Sequence, residues 1–139
     1  MTRPTLTDTL LLGALTGMRS MAGPAILAAG RGGVLPRIAA TLAAGEMVAD
    51  KTERIGDRID PLPLGGRAAM GALVGGFVAH ERQSNLLLGA ALGAAAAVVM
   101  AHIACYLRKQ APGSNLLGGL TEDAIVTAAG ALYASRRQH

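Results

Sequence analysis

The chain has no tryptophan, one phenylalanine and two tyrosines in 139 residues, although 51% of it is hydrophobic. Water-soluble cores draw much of their buried area from aromatic rings, so apolar content made of Ala, Leu, Gly and Val argues against one. It fits a bundle of membrane helices instead, where small residues let backbones approach and dispersion replaces the hydrophobic force between helices. Cysteine is nearly missing too: Cys105 stands alone, which excludes an intrachain disulfide and leaves packing as its role. A long basic tract is also absent, because the 13 Lys and Arg and 9 Asp and Glu cluster between apolar runs. That distribution marks loops and excludes a nucleic-acid surface.

The motifs of catalysis are missing as well. There is no glycine loop followed by Lys-Ser/Thr to cradle a phosphate, and His80-Glu81 has no second histidine four residues after the first, as a zinc-protease helix needs. Ser20 has no histidine in a triad-like arrangement, and His102, on a stripe with Val98, Val99 and Tyr106, reads as a hydrogen-bonded packing residue. No enzyme, cofactor or metal site is expected.

What is present is a repeat. Leu10-Leu11-Leu12-Gly13-Ala14-Leu15-Thr16-Gly17 returns as Leu86-Leu87-Leu88-Gly89-Ala90-Ala91-Leu92-Gly93, 76 positions later and identical at six of eight places. At the same offset Pro36 falls on Pro112 and Glu46 on Glu122. Apolar runs predict a first helix from about Thr5 to Ala29, bent where Gly23-Pro24 frees the Ser20 carbonyl, and stopped by Gly30-Arg31-Gly32-Gly33. The first run resembles a signal peptide, but Arg19 interrupts it and its repeat partner lies deep in the chain. A second helix follows from Pro36 to about Ala49, short for a crossing and therefore tilted, re-entrant or continued by polar turns. The charged segment from Asp50 to Asp60 should face water, and Pro61-Leu62-Pro63-Leu64 should end any helix. Helices three, four and five are expected at about Gly65 to Ala79, Asn85 to Leu107 and Asn115 to Ala134, the third and fourth forming an antiparallel hairpin.

The expected fold is thus all-α, a single polytopic membrane bundle of about five spans across residues 1–139. Repeat 1 covers about 5–60 and repeat 2 about 85–135, around a spacer helix at about 65–79. An odd spacer would turn the second copy upside down, giving an inverted repeat with a site near the midplane. On this topology seven Lys and Arg flank the side of the N-terminus (Arg3, Lys51, Arg54, Arg58, Arg67, Arg108, Lys109) and five the other (Arg31, Arg37, Arg82, Arg136, Arg137). The excess favours a cytoplasmic N-terminus and leaves dual orientation open.

Two sets of residues stand out. Gly13/Gly17, Gly71/Gly75 and Gly89/Gly93 each place two glycines one turn apart, a close-contact face on three helices that also suits a homo-oligomer. Charge at bilayer depth is the second, since it costs a few kcal/mol or more unless paired, hydrated or neutralised. Arg19 lies mid-helix; Glu46 and Asp50 share a face; Glu122 and Asp123 lie two turns into the last helix. In one reading Arg19 pairs with Glu46 or Glu122 and only locks the bundle. In the other, Glu46 and Glu122 face each other across a pseudo-two-fold axis and, with Asp50, Asp123 and the Ser20 carbonyl, line a cavity for a cation or protons.

Gly17-Met18-Arg19-Ser20-Met21-Ala22-Gly23-Pro24-Ala25, then Glu46-x-x-x-Asp50-Lys51, Pro63 with Arg67 and a glycine-rich helix, and Glu122-Asp123 together resemble the small bacterial membrane proteins called domain of unknown function 4126. The resemblance covers most of the chain. It implies a bacterial inner-membrane protein with these polar positions, and supplies no substrate. The functional expectation is a small transporter or channel for a cation or protons, with Arg19 as gate or internal counter-ion; the alternative is a non-transporting scaffold packing through its glycine faces.

Overall fold

The computed structural model describes residues 1–29, 61–110 and 115–137, which contain five helices and no strand. They are α1 (Arg3–Met18), α2 (Ala22–Ala29), α3 (Pro61–Glu81), α4 (Leu86–Gln110) and α5 (Asn115–Arg137). The second expected helix, with Glu46, Asp50 and the charged segment after them, lies outside the described residues.

The expected first helix is two. α1 ends at Met18, and Arg19 is extended at φ −139° and ψ 117°. α2 starts at Ala22, so Pro24 falls in its first turn, where no intrahelical N–H is required. The break therefore comes before the proline, not at it, and the chain also reverses. A Cβ at Gly23 would lie 3.1 Å from the Leu12 carbonyl oxygen and collide with the Thr16 hydroxyl. In one continuous helix residues 16 and 23 would stand about 10 Å apart along the axis. α1 and α2 are thus a helical hairpin.

Proline acts similarly in α3, which opens on Pro61-Leu62-Pro63 instead of ending there. Both prolines sit within the first turn, where their missing N–H costs nothing. α3 and α4 form the antiparallel hairpin expected. Its turn has the hydrogen bonds of a Schellman motif: Ser84 N–H donates to the Ala79 carbonyl and Gln83 takes φ 50°. The Asn85 side chain then caps α4 by accepting from the Leu88 N–H at 3.0 Å.

α4 packs on both α3 and α1. Gly13 faces Gly93 and Gly17 faces Ala97, while Gly71 faces Gly93 and Ala97 and Gly75 faces Gly89. A Cβ at Gly13 would sit 2.7 Å from the Gly93 carbonyl oxygen, and one at Gly89 2.6 Å from that of Gly75. All six glycines of the three pairs lie at these contacts. Equal four-residue steps up α1 and α4 mean that the two helices run parallel, and Asp8 pairs with Arg82 at their shared starting end. Copies related by inversion would run antiparallel, so the inverted repeat is overturned for these helices. So is the grouping that set Arg3 opposite Arg82, and the charge count across the membrane falls with it.

α3 and the Leu86–Leu107 part of α4 are long and apolar enough to cross a membrane. α1, at 16 residues, is about 24 Å long against about 30 Å of hydrocarbon, and α3 and α4 are the two candidate spans among the described residues. Several large apolar side chains lie outside and several charged ones inside. Leu73 and Phe77 on α3, Leu87, Val99 and Leu107 on α4, and Ile125 and Leu132 on α5 are exposed, whereas Arg19, Arg67 and Glu122 are buried. The apolar core, Leu12, Leu15, Met18, Val74, Val78 and Val126 among others, lies between α1, α2, α3 and α5.

Gly75→Ala would drive a methyl into the Gly89 backbone, whereas a methyl at Gly66 meets nothing within 4 Å. Unfolding in detergent should show Gly75→Ala destabilised by about 1–3 kcal/mol, and Gly66→Ala neutral or stabilised by up to about 1 kcal/mol.

Candidate functional site

The turn between α1 and α2 places Arg19 where a helix would otherwise continue. Its side chain, with the residue only 1% exposed, reaches α5. There Nη2 donates to the Gly119 carbonyl at 3.4 Å and lies 2.6 Å from Asp123 Oδ1. Gly119 and Asp123 are one turn apart, so one face of α5 offers the guanidinium a carbonyl and a carboxylate together. Of the expected partners, Glu46 lies outside the described residues; the contact described is with Asp123, the neighbour of Glu122.

Glu122, about 100° around the helix from Asp123, is itself 7% exposed. It belongs to the same buried level of α5 as Asp123. Ser20 lies half-buried in the turn itself. The break at residues 19–21 sets the backbone there: the Ala22 N–H donates to the Arg19 carbonyl and the Ala25 N–H to that of Met21. The proposed facing of Glu46 with Glu122, and the contribution of Asp50, fall outside the described residues. Among those described, no three His, Cys, Asp or Glu cluster to hold a metal ion.

Arg67 was counted among water-facing flanks, and the structure buries it. It belongs to the series Arg67, Gly71, Gly75, one turn apart, so it carries the packed face of α3 onward to the end where Arg19 lies. Gly17 and Gly71 both face Ala97; Arg19 follows Gly17 by two residues and Arg67 precedes Gly71 by one turn. Two arginines and two carboxylates are thus held at one end of the bundle. The four-residue spacing was legible in the sequence; counting Arg67 as a flank concealed it.

Sequence reasoning also passed over Thr5, Thr9 and Thr16, all fully buried on α1. Thr16 Oγ1 donates to the Leu12 carbonyl at 2.8 Å, as a threonine in an apolar setting commonly does. His102 is exposed on α4, with Nδ1 2.8 Å from the Val98 carbonyl, bonded to its own helix and not to a neighbour.

Removing the Asp123 carboxylate takes a counter-charge away from a buried guanidinium. Asp123→Asn should lower unfolding stability by up to about 3–5 kcal/mol, while the double variant Arg19→Met/Asp123→Leu recovers most of that loss. Chemical denaturation in detergent, analysed as a double-mutant cycle, measures the coupling; two additive single effects would show that the pair contributes nothing. No family model, curated protein or solved structure matches the chain.

Proposed function

We propose that the chain is a small multi-pass protein of a bacterial inner membrane that passes a cation or protons. One observation carries the reading: an arginine and a carboxylate are paired in the interior where a helix breaks and reverses. Charge inside a membrane bundle is costly, and broken helices are where transporters keep irregular backbone and binding groups. Arg19 acts here as a tethered cation. It neutralises Asp123 in the resting state, and an incoming cation or proton displaces it, so the site stays near neutrality at each step. Glu122, and outside the described residues Glu46 and Asp50, supply the further carboxylates.

The contact between Arg19 and Asp123 also favours a second reading. A pair that is closed and buried can serve only to fix the hairpin on α5, in a non-transporting scaffold that packs through its glycine faces. The double variant Arg19→Gln/Asp123→Asn separates the two, since it keeps polar groups of similar shape and removes both charges. Under the transport reading, vesicles reconstituted with this variant, or with Glu122→Gln, lose the flux of cations or protons that the unaltered protein supports, and the protein remains folded. Unchanged flux in both variants, or none in the unaltered protein across a broad panel of ions, would leave the scaffold reading.

A further inference from the structure

Four of the six buried polar residues of the described chain, Thr5, Thr9, Thr16 and Arg19, lie on α1 or at its end. At 100° per residue the three threonines fall within about 40° of one another, a single hydroxyl face along the helix. Between Thr5 and Thr9, and again just past Thr16, an ion pair ties this part of the chain to another element. Asp8, half-buried in the second turn of α1, pairs with Arg82 in the turn between α3 and α4. Arg19, just past the last turn, pairs with Asp123 on α5.

The middle of this face is its most informative point. Thr9 is 0% exposed, and its Oγ1 has no hydrogen-bond partner among the described residues. A threonine in a helix usually turns its hydroxyl onto the carbonyl four residues back, as Thr16 does. A buried hydroxyl that does not is costly, and a packing role would be served better by valine, which has the same shape. The hydroxyl at position 9 is therefore accounted for by something it contacts in another state.

Resting on the transport reading above, we propose that the Thr9–Thr16 part of this face of α1 lines the path of the cation or proton, closed in this structure. The Asp8–Arg82 pair gates one end and the Arg19–Asp123 pair the other. Hydroxyl oxygens replace part of a small cation's hydration, or relay protons through intervening water, without adding fixed charge between the two pairs. Opening either pair exposes the hydroxyl face from that end only, as alternating access requires.

Three variants at position 9 test this in reconstituted vesicles. Thr9→Val should lower flux by about tenfold or more, the effect of losing one hydrogen-bonding contact at the barrier, and should be at least as stable as the unaltered protein. Thr9→Ser should restore flux. Thr9→Cys, in a Cys105→Ala background, should be modified by a small cationic methanethiosulfonate reagent, whereas Leu10→Cys, on the lipid-facing side, should be protected. Normal flux in Thr9→Val, with flux still lost in Arg19→Gln/Asp123→Asn, would place the path elsewhere and leave the transport reading standing. If the unaltered protein passes no ion, the transport reading fails on its own. A Thr9→Cys thiol sealed from the reagent overturns the hydroxyl path in either case.

Discussion

The contact on which the bundle depends is backbone against backbone at Gly93. The Cβ positions of Gly13 on α1 and Gly71 on α3 lie 2.7 Å and 2.5 Å from the same Gly93 carbonyl oxygen, so one residue of α4 holds two helices in backbone contact. At that spacing no side chain fits between the three axes. Leu73, Phe77, Leu87 and Val99 stand on the outside, and the seam between α1, α3 and α4 is left to glycine and alanine. Water would penalise that arrangement, because the large apolar groups stay exposed. A hydrocarbon surrounding removes the penalty and leaves close contact between backbones as the gain. The exposed leucines and the glycine seam are two results of one constraint.

The hairpin of α1 and α2 depends on the same economy of space. Gly23 leaves room for the Thr16 hydroxyl and the Leu12 carbonyl, so α2 can lie back on α1. Pro24 fits because it occupies a first turn. Reversal turns what would have been the middle of a long helix into a tip, and Arg19 at that tip is free of helical geometry and can extend to α5. α5 answers with the Gly119 carbonyl and the Asp123 carboxylate on one face. Break, reversal and ion pair thus support one another. A continuous first helix would carry residue 26 well beyond the end of α1, yet Ile26 packs at Gly130 on α5.

Much of this was legible in the sequence, and the failures have definite physical causes. Glycines spaced by four marked the seam, and Arg19 and Asp123 stood out because charge among apolar residues is costly. Pro24 announced a break but carried no information on its direction, which Gly23 and Thr16 settle through a tertiary contact. Pro61-Leu62-Pro63 was read as a terminator, although the same missing N–H groups are harmless at a helix start. Arg67 was assigned to a flank because it lies near prolines and a charged segment; its four-residue spacing from Gly71 places it on the buried face.

The repeat acquires a different meaning once α1 and α4 are parallel. Gly13 matches Gly89 in sequence but meets Gly93, one turn later, so the two copies are packing partners and not equivalents across an in-plane axis. Each brings a glycine face and a run of leucines, since two helices that share one seam face the same requirement: small residues toward the partner, large ones away. Their surroundings then separate them. Leu12 is fully buried because α2 and α3 cover that side of α1, whereas its counterpart Leu88 is exposed on α4. The similarity records a shared local task, and the reversal at Arg19, absent from the second copy, gives the first its polar tip.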